Sequence, residues 1–277
     1  MATHRELFDL TGRLAIVTGA GGALGHAVSI GLAEAGADLA LFDITDTGLE
    51  HTRRAVAALG RQCVAVLCNV GVEDDVDRAF TVVDETVGRV DILVNNAATA
   101  VERHRPEAFP LDAWERALRV DLTGYFLCAR AAGRRMIAQG DGGSVVNVSS
   151  IAGATGLGRG NFAYSVAKGG INQLTRELAI EWAGHGIRVN AILPAQFRNA
   201  GWAAVETDPS PASSSLLQRI TDGIPLGRLG EPREIVGPVV FLAADASSMV
   251  TGALLPVDGG NLALNAGGSV RWPDEPT

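Results

Sequence analysis

Cysteine is scarce in this 277-residue chain: Cys63, Cys68 and Cys128 make an odd number, set in apolar stretches. That excludes a disulfide framework of the secreted kind and reads instead as reduced core thiols. No histidine partners them at ligand spacing, so zinc is not expected and no metal is assigned. Positive charge is short as well. With 23 Lys and Arg against 31 Asp and Glu, the net charge is −8 and the pI about 5.1. This balance argues against nucleic acid as a partner. No segment reaches the roughly eighteen unbroken apolar residues of a membrane span. The opening Met-Ala-Thr-His-Arg-Glu-Leu-Phe carries charge at once and lacks a signal-type apolar core. A soluble, cytoplasmic protein with no membrane partner is the expectation. Aromatic residues are only 5% of the chain while 34 residues are glycine. Such a composition suits thin helices packed on a buried sheet in one large domain.

Short apolar runs alternate with helical patterns along the whole length. Leu14 to Val17, Asp38 to Asp43, Val64 to Leu67, Ile92 to Val94, Ser144 to Val148, Ile187 to Ile192 and Leu254 to Val257 read as strands. Helices of ten residues or more between them imply right-handed βαβ units and a parallel sheet. One helix is expected from about Leu24 to Ala35, closed by Gly36. A second is capped by Asp112, with Trp114, Leu118, Leu122 and Tyr125 on one stripe. A third runs through Lys168, Ile171, Leu174, Leu178 and Trp182 and stops near Gly184 or Gly186. There is no internal repeat. Thr207 to Ser215 breaks the pattern, being polar, proline-bearing and low in complexity. Such a stretch is a lid loop or simply disordered, and its place among the strands favours a lid, within about residues 196–224.

Two features carry chemistry. In Tyr164-Ser-Val-Ala-Lys168 the phenol and the ammonium are four residues apart and share one helix face. A phenol near pKa 10 is a poor base in water. A lysine charge beside it favours phenolate and makes it usable for proton transfer near neutral pH. Far upstream, Thr18-Gly-Ala-Gly-Gly-Ala-Leu-Gly25 follows a strand and opens a helix. Glycines let the backbone approach a pyrophosphate, and the helix N-terminus offers free N–H groups and partial positive charge. Asp43 ends the next strand, followed by Ile44. A carboxylate there accepts from ribose hydroxyls and repels a 2′-phosphate, and neither Gly22 nor His26 supplies a fixed positive charge. The expected cofactor is therefore NAD rather than NADP, and the expected chemistry is hydride transfer on an alcohol or carbonyl.

Taken together, the glycine turn, Asn95-Asn-Ala-Ala98, Ser149-Ser150, Tyr164-x-x-x-Lys168, Asn190-Ala-Ile-Leu-Pro194, Pro225-Leu-Gly-Arg-Leu-Gly-Glu-Pro232 and Val257-Asp-Gly-Gly260 occur in one order. In that order they resemble the classical short-chain dehydrogenase/reductase family across essentially the whole chain. The resemblance implies an α/β fold: a single doubly wound (Rossmann) domain with a seven-stranded parallel sheet, commonly a homotetramer. It implies Tyr164 as general acid/base and Ser150, rather than Ser149, as the group that orients the substrate oxygen. Lys168 would hold the nicotinamide ribose and lower the tyrosine pKa. Gly19, Ala23, Leu24 and Gly25 would cradle the pyrophosphate. Asn69 and Val70 would flank the adenine, Asn96, Ala97 and Ala98 would line the ribose, and Pro194 and Phe197 would lie near the nicotinamide amide.

Departures from the family pattern stand at Ala23, Ala98 and Ala195, where glycine is usual, and at Asn69, where Asp is usual. Asp121 takes the place of the family's catalytic Asn, whose backbone carbonyl holds a water in the proton relay to the lysine. Its carboxylate either acts on nearby proton affinities or sits in solvent. Ser150 lies fourteen residues before Tyr164, one more than in relatives, and a loop absorbs one residue easily.

Substrates in such folds bind outside the carboxyl ends of the strands. Arg103, His104 and Arg105 follow the fourth strand, Arg159 the fifth, and Arg198, Asn199 and Trp202 the sixth. Arginines suit bidentate binding of carboxylate, sulfonate or phosphate groups. A sugar, sugar acid or other polyhydroxylated small molecule is the expected substrate; the plainer alternative is that these arginines are solvated or pair between subunits. Other readings stay open: an NADP-dependent oxoacyl-thioester or ketone reductase, and a nucleotide-binding regulator without turnover. The extension 261–277, with Arg271 and Trp272, is expected either to contact a neighbouring subunit or to fray.

Overall fold

The computed structural model describes residues 3, 6–100 and 102–264. Strands β1 (Leu14–Thr18), β2 (Asp38–Asp43), β3 (Cys63–Leu67), β4 (Ile92–Asn95), β5 (Gly143–Val148), β6 (Ile187–Pro194) and β7 (Leu254–Val257) form one sheet. Its order is β3-β2-β1-β4-β5-β6-β7, and every neighbouring pair is parallel. The seven-stranded sheet read from the sequence is what the chain forms, with strand ends shifted by a residue or two.

The apolar runs look continuous because both faces of the sheet are covered. Ala15 and Val17 join the same buried cluster as Leu39 and Leu41, whereas Leu14 and Ile16 join Ala40 and Phe42 in the other. Successive side chains thus feed opposite cores. On the first face lie α1 (Ala23–Glu34), α2 (Asp46–Ala58) and α9 (Val236–Ala243). On the second lie α3 (Glu73–Thr86), α5 (Gly124–Gln139) and α6 (Phe162–Glu181). Cys68 and Cys128 are buried, Cys63 is half-buried, and all three are free. Burial pushes the Cys63 and Cys68 thiols up to about 12, which leaves them inert.

Four sequence expectations need correction or fall outside the described residues. The Thr207 to Ser215 stretch is not a loop. It joins α7 (Ala200–Thr207) to α8 (Pro211–Asp222), with the Ser210 hydroxyl accepting from the Ser213 N–H and Pro211 at the first helical position. Serine and proline there are a helix start, not low complexity. Asp112 is not the cap of α4 (Leu111–Leu118); Pro110 is, and Asp112 lies in the first turn. The buried positions on that stretch are Ala113, Ala117, Asp121, Gly124 and Tyr125, most of them one residue off the expected stripe. Trp114, Leu118 and Leu122 are half-buried, Trp114 beside Phe162 and Leu122 beside Gly170 of α6, and a π-helical turn over Arg119–Thr123 inserts an extra residue before α5. Residues 265–277, including Arg271 and Trp272, lie outside the described residues.

Candidate active site

Sheet order reverses at β1 and β4, which are neighbours although β2 and β3 separate them in sequence. The crevice beyond their carboxyl ends is where doubly wound sheets take ligands. Gly19 turns the chain there with φ of +64°, a conformation L side chains avoid. A methyl on Gly19 would also lie 2.8 Å from Ala97 Cα, and one on Gly25 would overlap the Gly19 carbonyl oxygen. The turn is tied to β4 by Thr18 Oγ1, which accepts from the Asn96 and Ala97 N–H groups at 2.9 and 3.1 Å. In return, the Asn96 amide donates to the Thr18 and Gly19 carbonyls at 3.0 and 3.1 Å. No side chain caps the start of α1 at Gly22. Its first N–H groups, at the exposed Ala23 and half-buried Leu24, are therefore left for a ligand. A cradle that no Cβ could occupy, lined by uncapped donors, fits a dinucleotide pyrophosphate.

Asp43 closes this end. Its Oδ2 accepts from the Gly21 N–H at 2.9 Å, while Oδ1 accepts from the Thr45 N–H and hydroxyl at 2.9 and 2.8 Å. The carboxylate is held against the glycine turn instead of reaching into solvent, and Ile44 beside it is 71% exposed. Asn69 spends one lone pair of its amide oxygen on the Gly71 N–H at 3.0 Å. The Val70 side chain is buried in the second core against Gly124, so it does not itself face the crevice.

Tyr164 and Lys168 project from α6 toward the end of β5, as their spacing predicts. Together with Ser150 they line one cleft of about 300 Å³, walled also by Leu24, Asn96, Ala98, Pro194, Phe197 and Trp202. Arg103, Arg159, Arg198 and Asn199 reach the same cleft. The two serines are distinct. Ser149 Oγ donates to the Lys168 carbonyl and Asn172 Oδ1 at 3.1 and 2.7 Å, and so anchors α6. Ser150 is the hydroxyl left beside Tyr164.

The electrostatics differ from the sequence expectation in one respect. Lys168 does not donate to Tyr164. Its Nζ donates to Tyr125 Oη at 2.9 Å and the Val148 carbonyl at 3.0 Å, and stands 5.5 Å from the Tyr164 ring centre. Burial pushes Tyr164 up to about 12, opposed by the Ser150 hydrogen bond and reinforced by the Asp121 charge. Burial likewise brings Lys168 down to about 8 against the pull of Asp121. In the protein alone, desolvation outweighs the lysine.

Asp121 does not sit in solvent. The π turn carries it to full burial, where Oδ1 accepts from the Thr99 N–H at 2.7 Å and Oδ2 has no partner. Burial raises its pKa, offset only in part by the Lys168 charge and the Thr99 N–H.

Two of the substrate candidates have their polar groups engaged. Arg198 pairs with Glu206 at 2.9 Å and with Glu231, and the Asn199 side chain caps α7 by accepting from the Trp202 N–H at 3.1 Å. Arg103 and Arg159 have no carboxylate within ion-pair distance among the described residues. The sequence reading missed Tyr125 and Arg219 as candidates. Tyr125 is one of only two tyrosines and falls four residues after Asp121, a signal that was available. Arg219 lies just past the Thr207 to Ser215 stretch taken for a loop, and no motif marks it.

A family model described as enoyl-(acyl carrier protein) reductase matches residues 19–261. The chain belongs to the short-chain dehydrogenase/reductase family. Among curated relatives, galactitol 2-dehydrogenase (L-tagatose-forming) of Cereibacter sphaeroides is 39% identical over 93% of this chain and 98% of its own. Among solved structures, a gluconate 5-dehydrogenase from Burkholderia cenocepacia J2315 in complex with NADP and tartrate is 33% identical. It covers 95% of this chain and 100% of its own with a TM-score of 0.86. An NAD⁺-bound xylitol dehydrogenase is 34% identical, covers 91% and 99%, and has a TM-score of 0.85. Relatives of this short-chain dehydrogenase/reductase therefore include proteins bound to either cofactor.

Proposed function

We propose that the protein is an NAD-dependent dehydrogenase acting on a secondary alcohol of a sugar, sugar acid or other polyhydroxylated compound, or on the matching carbonyl. The observation that carries this reading is the convergence of Ser150, Tyr164 and Lys168 on one cleft that also holds Arg103 and Arg159. The relatives' polyol and sugar-acid substrates support the class. Asp43 supports NAD, since a carboxylate anchored on the glycine turn opposes a 2′-phosphate.

When bound, the nicotinamide supplies the hydride acceptor and a positive ring. Tyr164 Oη takes the hydroxyl proton in oxidation and returns it in reduction. Ser150 Oγ holds the substrate oxygen. Lys168, fixed by Tyr125 Oη and the Val148 carbonyl, keeps a positive charge within reach of the phenol. Asp121 opposes ionisation of Tyr164 and favours that of Lys168, so it sets the pH at which the proton moves. Acid–base assistance of this kind supplies about 10²–10⁴-fold, and alignment of the reacting carbon supplies much of the rest.

The lid reading applies to residues 196–224, now as the α7–α8 pair over the cleft. Exposed Phe126 on α5 and Val166 and Ile180 on α6 support a homotetramer. A cytoplasmic location is consistent with there being no helix long and apolar enough to cross a membrane among the described residues. The test is NADH formation at about pH 8–9, where more of the phenol is ionised. NAD⁺ and NADP⁺ would be compared across neutral polyols, sugar acids and simple secondary alcohols. Turnover with NAD⁺ on hydroxylated substrates is expected. Preference for NADP⁺ would remove the role given to Asp43, and turnover of simple alcohols alone would remove the substrate class.

A further inference from the structure

Beyond the catalytic cleft lies a second cavity of about 470 Å³, lined by Arg103, Leu157, Arg159, Trp202, Leu216 and Arg219 among others. Arg103, Leu157, Arg159 and Trp202 line both spaces, so one opens directly into the other. Among the described residues no acidic one lines either of them. Elsewhere the guanidinium groups are commonly matched: Arg116 has Glu102 and Asp112, Arg228 has Glu234, and Arg198 has Glu206 and Glu231. Arg103, Arg159 and Arg219 have no carboxylate at ion-pair distance among the described residues. Other described arginines, Arg119 and Arg188 among them, also lack an ion pair, but in a chain of net charge −8 three such cations around one cavity are a local excess.

We propose that Arg103, Arg159 and Arg219 form a subsite for a tetrahedral oxoanion, a phosphate ester or sulfonate, carried by the substrate at the end remote from its reacting carbon. This rests on the reading of the adjoining cleft as the site of a hydroxylated substrate, and narrows it. A planar carboxylate is satisfied by one bidentate guanidinium. Each guanidinium brings five N–H donors, and three of them exceed what the two oxygens of a carboxylate accept. A tetrahedral group with three free oxygens uses all three. The cations also disfavour one another: Arg159 is half-buried, and its pKa is lowered by burial first and then by Arg103 and Arg219. An anion relieves that repulsion.

The residues come from separate segments. Arg103 follows β4, Arg159 follows β5, and Arg219 lies on α8 with Trp202 on the neighbouring α7. An anion bridging them ties the α7–α8 pair to the body of the domain and closes the substrate end only when the charged group is present.

Two measurements separate this proposal from the reading beneath it. The first needs no turnover: inorganic phosphate and sulfate at low millimolar concentration are titrated against thermal unfolding. Saturable stabilisation is expected in the natural protein and is weakened about tenfold or more in Arg159→Gln and Arg219→Gln. Arg54→Gln, an exposed α2 arginine already paired with Glu50, controls for net charge and should titrate as the natural protein does. The same titration in all four proteins would mean general salt stabilisation and would overturn the subsite. The second compares kcat/KM for a polyol phosphate, a polyol sulfonate, the matching sugar acid and the neutral polyol. Phosphate or sulfonate should lead, with the lead over the neutral polyol falling about tenfold or more in Arg219→Gln. A sugar acid that leads, and loses its lead in the same variant, would overturn the tetrahedral assignment. No turnover with any of them, alongside intact phosphate titration, would sink the hydroxylated-substrate reading and leave the anion site standing.

Discussion

At the glycine turn, the surfaces meant for a ligand are main chain. Gly19, Gly21 and Gly25 are pressed against Ala97, Asp43 and one another, and the strands beneath them are buried on both faces. Across the cleft, residues 196–230 offer side chains instead. There α7 has no buried residue, and the α7–α8 pair rests on a small cluster of Ile220, Ile224 and Leu229 with Trp202, Leu216 and Leu217. The first region tolerates almost no change of shape because backbone cannot retreat. The second can exchange one side chain for another at small cost. That contrast explains how relatives named for galactitol, gluconate and xylitol share one fold. It also assigns local stability, since a segment with few buried contacts opens more readily than one set in the core.

The comparison breaks most sharply if each side is disabled alone. Tyr164→Phe removes the proton-transfer oxygen and should lower kcat by about 10²–10⁴-fold, with NADH affinity by fluorescence titration within about threefold. Gly25→Ala should do the reverse, forcing a methyl into the Gly19 carbonyl. Destabilisation of about 1–3 kcal/mol in chemical unfolding is expected, together with loss of NADH binding. If Gly25→Ala binds NADH normally, the turn is not the rigid cradle described. If Tyr164→Phe keeps its turnover, the proton takes another route.

Legibility followed the same division. The strands could be read because burial on both faces leaves an unbroken apolar run, and Leu254 to Val257 and Asp38 to Asp43 were placed to the residue. The glycine turn and Tyr164-x-x-x-Lys168 could be read because spacing alone puts their groups on one face. What could not be read were features set by tertiary packing. The π turn has no periodic signature, so the burial of Asp121 was hidden. The partners of Lys168 were hidden as well, because Tyr125 reaches it from another helix. Which arginines would be spent on Glu206 and Glu231, and which left free, depends on chain segments far apart in sequence.

A smaller change sharpens the cofactor side. Asp43→Ala removes the carboxylate that holds the Gly21 and Thr45 N–H groups. A hydrogen bond to a charged group contributes about 1.5–3 kcal/mol, so kcat/KM for NAD⁺ should fall by roughly 10–100-fold. The ratio of NADP⁺ to NAD⁺ efficiency should rise by a similar factor. A ratio that does not move would place cofactor choice elsewhere than on this carboxylate.

The smallest expected effect is at the junction of the two regions. Asp121→Asn keeps an oxygen for the Thr99 N–H and replaces the unpartnered Oδ2 with an amide. Removing the negative charge lowers the pKa of Tyr164 directly, since Asp121 raises it. It also lowers that of Lys168, and a neutral lysine stabilises phenolate less. The direct effect dominates wherever Lys168 stays protonated. Oxidation needs the phenolate, so its rate rises with pH through the Tyr164 titration. The acid limb of the kcat/KM profile should therefore move to lower pH by roughly half a unit to one unit. A limb that stays put would mean that Asp121 is protonated throughout the range. Burial would then have overcome the pull of Lys168, and the residue would fill space beside the proton path without steering it.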